Sequence, residues 1–194
     1  MPKIARDSLM TLEAYAKARN EFRAKVLAHK KNRTVHLGSH VTLLFEDELT
    51  MRYQVQEMLR VERIFEEAEI QHELDSYNPL VPDGSNLKAT MQIEYEEVEE
   101  RKRMLTRLRE IERKVWVQVE GFARVYAIAD EDLERETDEK TSSVHFLRFE
   151  LTGEMKSALK RGAALGTGID HAEYEAAVPA LPPAVRDALV ADLN

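Results

Sequence analysis

The alternation of apolar and polar residues between positions 87 and 95 constrains the fold most strongly. Leu87, Ala89, Met91, Ile93 and Tyr95 are each separated by one polar residue. Successive side chains of a strand point to opposite faces, so this period of two predicts a strand with one buried face. A strand of this kind needs neighbouring strands and a layer that covers its apolar side.

Further strands are predicted on both sides of this segment. Thr34–Leu37 and Val41–Phe45 combine β-branched, aromatic and other apolar residues, and Gly38 and Ser39 divide them. Residues 115–129 have the same composition, and Gly121 within them indicates either a bulge or a tight hairpin turn. Residues 144–151 form another predicted strand.

Helical spacing of apolar residues predicts two long helices. The first spans about residues 7–31, with Asp7 or Ser8 able to supply the N-cap oxygen. The second runs from a Thr50 cap to about residue 76, where a segment rich in Pro, Gly and Asn stops it. Shorter helical patterns cover residues 98–111, 152–162 and 184–193.

These elements are interspersed without regular βαβ alternation. We therefore predict an α+β fold with a mainly antiparallel sheet flanked by two or three long helices. A chain of 194 residues is long enough for one well-buried core, so a single domain over residues 1–194 is expected. Residues 130–142 are almost wholly polar or charged and are predicted to form an exposed loop.

The formal net charge of −8 disfavours polyanionic partners. The acidic run at residues 94–100 would repel phosphates, so nucleic acid and anionic membranes are not expected as partners. No apolar run approaches the ~20 residues of a spanning helix. The N-terminus lacks a cationic stretch followed by an apolar one, so a cytoplasmic location is expected.

The chain contains no cysteine. Disulfides, thiolate zinc sites, cysteine nucleophiles and cysteine-ligated iron–sulfur clusters are therefore excluded within it. Any redox role would need carboxylate or histidine metal chemistry, another cofactor, or the redox centre of a partner.

Glu69 and His72 form the sharpest chemical pattern in the sequence. They lie three residues apart in the second predicted helix, on a face that would also hold Glu62 and Phe65. Glu-x-x-His is the spacing with which helical bundles present a carboxylate and an imidazole to iron or manganese. The pattern makes Glu69 and His72 candidate metal ligands.

A complete dinuclear site needs a second such pair and two more carboxylates. No other histidine has a glutamate three residues before it, so a second pair would have to come from a homo-oligomer. Glu62 is two turns away, about 10 Å along a helix at ~1.5 Å per residue, and cannot bind the same ion. The alternative is that Glu69 and His72 lie on the solvated edge of an amphipathic helix.

Other candidates carry less specific patterns. Glu46 and Glu48 follow a predicted strand, but acid–base chemistry needs two carboxylates in different environments, which a sequence cannot show. The glycine-rich residues 161–168 follow a helix and are predicted to end it rather than cradle phosphate. His145 and Trp116 lie in predicted strands and are expected to be packed in the core. His36 and His40 could chelate a metal only if the intervening turn brought them together.

Two stretches carry a family resemblance. They are Phe45-Glu46-Asp47-Glu48-Leu49-Thr50, leading to residues 54–58, and Glu73-Leu74-Asp75-Ser76-Tyr77-Asn78-Pro79-Leu80, leading to residues 87–90. With the overall length, they resemble an uncharacterised bacterial family of about 200 residues, classed as a domain of unknown function. Genes of that family often stand beside those of rubrerythrin-like proteins and iron–sulfur oxidoreductases. The resemblance implies a link to a redox or peroxide-handling system and assigns no catalytic residue.

Three functional hypotheses follow. The first is an accessory or interaction protein whose partner is a rubrerythrin-like protein or an iron–sulfur oxidoreductase. The second is a metal-dependent enzyme centred on Glu69 and His72. The third is a small-molecule binding domain with a pocket between the sheet and the second predicted helix.

Overall fold

The structure, a computed structural model, describes residues 4–131, 135, 137 and 139–194. Nine β-strands and six α-helices are formed by these residues. The strands are β1 (Thr34–Leu37), β2 (Val41–Phe45), β3 (Asn86–Ile93), β4 (Val115–Val119), β5 (Val125–Tyr126), β6 (Ile128–Ala129), β7 (Val144–Glu150), β8 (Leu165–His171) and β9 (Tyr174–Val178). The helices are α1 (Leu12–Lys30), α2 (Glu48–Glu62), α3 (Glu67–Tyr77), α4 (Val98–Arg107), α5 (Gly153–Lys160) and α6 (Pro183–Val190).

The strands form two antiparallel sheets. One sheet has five strands in the order β1-β2-β3-β7-β6, and the other has four in the order β5-β4-β8-β9. The predicted α+β class with mainly antiparallel pairing is confirmed. The strands form two sheets rather than the expected one, because β4 and β5 join the β8–β9 hairpin that follows α5.

The hairpin of β8 and β9 was missed because its glycines resemble a helix end. Gly168 pairs with Trp116 of β4, and a methyl group on Gly168 would lie 2.4 Å from an atom of the Trp116 ring. Gly166 would place a methyl group 2.4 Å from the Pro179 carbonyl oxygen. The two glycines are needed because other parts of the chain approach the strand closely.

The second predicted helix is two helices. Arg63 follows α2 with a φ of 57°, in the left-handed region, and the chain turns there before α3 begins. The face that was expected to join Glu62 to Glu69 is therefore interrupted. The N-cap of α2 is Asp47 rather than Thr50: the Asp47 side chain accepts from the Thr50 N–H, and the Thr50 hydroxyl accepts from the Asp47 N–H.

The first helix begins later than predicted. The α1 helix starts at Leu12, and its N-cap is Thr11, whose hydroxyl accepts from the backbone N–H of Ala14. Asp7 and Ser8 lie instead in a single 3-10 turn, Arg6–Ser8. Leu9, in the connection to α1, is buried.

Two clusters of buried apolar side chains hold the chain together. The larger cluster lies between the sheets and includes the predicted alternating residues of β3, together with Val115, Val117 and Val119 of β4. The smaller cluster joins α2 and α3 to the N-terminal segment and includes Val55 and Leu74. The sheet of β1, β2, β3, β7 and β6 therefore has a core-facing side and an outer side.

A buried arginine links the C-terminal helix to the first sheet. Arg33 donates from Nε to the Phe45 carbonyl oxygen at 2.8 Å and from Nη2 to that of Glu46 at 3.1 Å. Its guanidinium also pairs with the carboxylates of Asp192 and Asp47. A buried cation is tolerated here because its donors meet several acceptors.

Residues 132–134, 136 and 138 of the predicted loop at 130–142 lie outside the described residues. At the end of that segment Thr141 is buried, so the exposure predicted for residues 130–142 does not extend to it. Among the described residues, none of the helices combines the length and apolar composition that crossing a membrane requires.

Candidate functional site

A row of side chains on the outer side of the five-stranded sheet forms the candidate site. Residues of β3 alternate between the two sides, so Lys88 and Thr90 point away from the core that Leu87 and Ala89 enter. Lys88 pairs with Arg148 of β7. Glu46, directly after β2, donates from its backbone N–H to the Lys88 carbonyl oxygen at 2.8 Å.

A cavity of about 230 Å³ lies between this row and the turn that follows α3. The turn is a short 3-10 segment, Asn78–Leu80, whose proline favours the start of such a turn. The apolar residues that line the cavity are Pro79, Leu80, Phe146 and, on the strands beneath, the core-facing Ala89 and Leu147. The charged side chains on its surface are Glu46, Lys88, Glu131 and Arg148.

Glu46 is the most unusual of these residues because its carboxyl group is buried. The residue is 4% exposed, and its carboxyl oxygens accept hydrogen bonds from Thr50 Oγ1 at 2.5 Å and Thr90 Oγ1 at 2.6 Å. Burial raises the pKa of Glu46, and the two hydroxyl groups oppose that effect only in part. None of the ion pairs between described residues involves Glu46. A carboxyl group in such surroundings is biased towards its neutral form.

Lys88 fixes the turn over the sheet. Its Nζ donates to the carbonyl oxygens of Pro79 at 2.5 Å and Val81 at 3.1 Å. Burial lowers the pKa of Lys88, whereas the negative charge of Asp83 raises it. The lysine therefore positions the apolar wall formed by the turn.

Arg148 is held by carboxylates at the opposite wall. Its Nε and Nη2 donate to the two carboxylate oxygens of Glu131 at 2.7 and 2.8 Å, and its Nη1 pairs with Glu150. The guanidinium of Arg148 lowers the pKa of Glu131. This bidentate pairing fixes both side chains, although Glu131 is half exposed and screening by solvent weakens the interaction.

Glu69 and His72, the predicted metal ligands, lie elsewhere. Both are exposed on α3, whose buried residues are Ile70 and Leu74. Within the described part of the chain, no group of three or more histidine, aspartate or glutamate side chains is arranged to hold a metal ion. Iron or manganese binding at Glu69 and His72 stays a prediction.

His145 is packed and hydrogen-bonded, as predicted. Its Nδ1 lies 2.5 Å from Asp130 Oδ2, and its Nε2 lies 2.9 Å from Thr141 Oγ1. The imidazole is fully buried and Glu112 is also nearby, at 4.0 Å. This cluster ties both ends of the segment 130–142 to β7.

The remaining candidates have separate partners. His36 contacts Thr42 through Nδ1, whereas the ring of His40 stacks on Tyr95 with centroids 3.9 Å apart. Trp116 is buried as predicted but lies outside the large core cluster. Its indole N–H donates to Asp170, and the Arg124 guanidinium lies 4.1 Å from the ring centroid.

Comparison with known proteins defines the relatives of this chain. Residues 3–193 match the DUF3501 family, described as a protein of unknown function. The chain belongs to the DUF3501 family. A solved crystal structure of a novel protein of unknown function from Burkholderia pseudomallei is 58% identical, with a TM-score of 0.94 and 100% of both chains covered. No curated protein matches the chain.

The family match confirms the resemblance to an uncharacterised family of this size. Neither DUF3501 nor the Burkholderia pseudomallei protein brings information on rubrerythrin-like or iron–sulfur partners. Sequence reasoning noticed Glu46 but missed Lys88 and Arg148. Their only local indication is that each lies at a polar position within a half-buried strand.

Proposed function

We propose that this protein is a small-molecule binding domain and that the cavity beside Glu46 is its binding site. The observation that carries the proposal is that Glu46, whose carboxyl group is buried, lines a largely apolar cavity. Ligand sites are typically apolar pockets with a few positioned polar groups, and strongly perturbed ionisable groups cluster at functional sites. The cavity lies between the sheet and the end of α3, which is where the third hypothesis from the sequence, a small-molecule binding domain, expects a pocket.

The cost of burying Glu46 supports this proposal. A buried carboxyl group loses hydration, and its two hydrogen bonds offset that cost only in part. Thr50 and Thr90 supply hydrogen bonds to it from two different elements. These contacts orient the carboxyl group beside the cavity, which is what a recognition group requires.

A ligand titration with a blocking variant tests the proposal. Small aromatic fragments are titrated into ¹⁵N-labelled protein, and shifts are expected at the amides of the cavity-lining strands β3 and β7. Leu80→Trp fills the cavity from the turn and should abolish these shifts. Leu27→Trp, on the exposed side of α1, is the matched control and should leave them unchanged. Shifts that persist in Leu80→Trp, or no binding by any fragment, would contradict the proposal.

We also propose, with support only from the family resemblance, that the protein serves a redox system in the cytoplasm as an accessory or interaction protein. The chain has no cysteine, so a cysteine-ligated iron–sulfur centre in such a system would belong to the partner. The test is affinity purification of the tagged chain from its native host. Co-purification of a rubrerythrin-like protein or an iron–sulfur oxidoreductase is expected, and the recovery of neither would refute this proposal.

A further inference from the structure

The charges around the cavity are already balanced within the protein. Arg148, the larger cation, donates to both oxygens of Glu131 and also pairs with Glu150. To pair with Arg148, a ligand carboxylate would have to displace Glu131 from this bidentate arrangement. A ligand ammonium group would lie close to two cations, Arg148 and Lys88.

The buried carboxyl group provides no free anionic site either. Each oxygen of Glu46 already accepts a hydrogen bond from a threonine hydroxyl. Burial raises the pKa of Glu46, which disfavours its charged form. A cationic ligand would therefore lose its hydration without gaining a fully charged partner.

Lys88 has donor capacity left. A lysine ammonium group has three N–H donors, and in the described structure two are accounted for by the Pro79 and Val81 carbonyl oxygens. Its side chain also lines the cavity. A third N–H is therefore available to a hydrogen-bond acceptor on a bound molecule.

The volume limits the size of the ligand. Sites for drug-sized molecules occupy roughly 300–1,000 Å³. At about 230 Å³, this cavity is smaller and fits a single substituted ring or a short branched chain.

We infer that the cavity binds a small, neutral, mostly apolar molecule that carries one hydrogen-bond acceptor, such as an alcohol, a phenol or a ketone. This inference rests on the proposed binding function and specifies its ligand class. The apolar body lies against Leu80 and Phe146, and the acceptor receives the remaining N–H of Lys88. Charged molecules of the same shape should bind more weakly. An ammonium group would meet Lys88 and Arg148, and a carboxylate at Lys88 would lose its hydration beside Glu131 and Glu150, whose negative charges already act on Lys88.

Four probes of similar shape test the inference in the unmodified protein. Benzyl alcohol, ethylbenzene, benzylamine and benzoate are titrated at pH 7 and low salt, and dissociation constants are obtained from amide shifts. Benzyl alcohol should bind at least about tenfold more tightly than benzylamine and benzoate. It should bind roughly two- to tenfold more tightly than ethylbenzene, which lacks the acceptor.

Each contrary result has a distinct meaning. Benzoate or benzylamine binding as tightly as benzyl alcohol would overturn the neutral ligand class. Ethylbenzene binding as tightly as benzyl alcohol would overturn the role of Lys88. Failure of all four probes to bind would refute this inference. The proposed binding function would survive that result if other fragments bound the wild type and no longer bound Leu80→Trp.

Lys88→Met provides a second measurement. It keeps most of the side-chain length and removes the donor. In this variant the preference for benzyl alcohol over ethylbenzene should disappear, while ethylbenzene binding reports whether the cavity is intact. An unchanged preference in a variant that still binds ethylbenzene would overturn the inference. If the variant does not fold, the comparison of probes in the unmodified protein decides the question.

Discussion

Replacing Glu46 with glutamine should change how the stability of the protein depends on pH. Glutamine has nearly the same shape and can still bond to Thr50 and Thr90, but it cannot ionise. Burial raises the pKa of the Glu46 carboxyl in the folded protein above its value of about 4.3 in the unfolded chain. The wild type therefore has its full stability from this group below pH 4.3, and loses it as the pH rises through the folded-state pKa.

The expected magnitude follows from this shift. Each unit by which burial raises the pKa of Glu46 corresponds to about 1.4 kcal/mol of folding free energy. Between pH 4 and pH 8, the stability of Glu46→Gln relative to the wild type should therefore increase by about 1.4 kcal/mol for each unit of that shift. At pH 4 the two proteins should differ by no more than about 1 kcal/mol, since the threonine hydroxyls keep a partner. Glu46→Ala is a different case. It leaves both threonine hydroxyls without this partner and should destabilise the protein by roughly 2–4 kcal/mol at pH 4. This cost should shrink as the pH rises, because alanine cannot ionise either.

Urea denaturation at several pH values between 4 and 8 provides the measurement. The quantity of interest is the difference in unfolding free energy between Glu46→Gln and wild type, because contributions from unchanged groups such as Asp47 and Lys30 largely cancel. This difference should rise with pH and then level off above the folded-state pKa. A difference that stays flat, or that falls as pH rises, would refute the conclusion that burial disfavours the Glu46 carboxylate.

Three further predictions concern other parts of the molecule. Gly168→Ala places a methyl group 2.4 Å from an atom of the Trp116 ring and should destabilise the protein by about 1–3 kcal/mol in urea denaturation. Gly153→Ala is the control and should be nearly neutral, because no atom lies within 4 Å of the added methyl group. Arg33→Met removes the cation that two partly buried carboxylates share, Asp192 and Asp47, and leaves only His29 beside Asp47. It should cost roughly 3–5 kcal/mol, measured by the same method. If the Glu-x-x-His prediction is right, protein purified without chelators contains stoichiometric iron or manganese by elemental analysis, and His72→Ala loses it.

The results that would contradict these predictions differ. Equal stability of the two glycine variants would mean that the Trp116 ring has room to move away. A small effect of Arg33→Met would mean that the carboxylates find other partners or become protonated. Metal-free protein from iron- and manganese-replete cells would refute the proposed ligands Glu69 and His72. If metal is found, the mass of the native protein then shows whether a second subunit supplies the other half of a dinuclear site.

Local patterns predicted individual elements well. The bounds of β1 and β2 were predicted correctly because β-branched and apolar residues are concentrated there and a glycine turn divides them. The alternation at residues 87–95 correctly identified the core-facing residues of β3. The turn at Gly121 was left open between a bulge and a hairpin, and β4 and β5 pair as a hairpin around it.

Predictions failed where a distant part of the chain decides the local conformation. Arg63 adopts a left-handed conformation without the glycine that would indicate it, so the separation of α2 from α3 has no local sign. The glycines of β8 are explained by the close approach of Trp116 and of the Pro179 carbonyl. Tertiary contact overrides intrinsic propensity at each of these positions.

The sequence by itself determined the α+β class, the core face of β3 and the lack of cysteine chemistry, because periodicity and composition are local properties. The cavity required the tertiary structure. Its surface combines the residue after β2, the turn after α3, and strands β3 and β7, which are up to about 100 residues apart in the chain. The shifted pKa of Glu46 arises in the same way, since desolvation depends on everything that surrounds the carboxyl group.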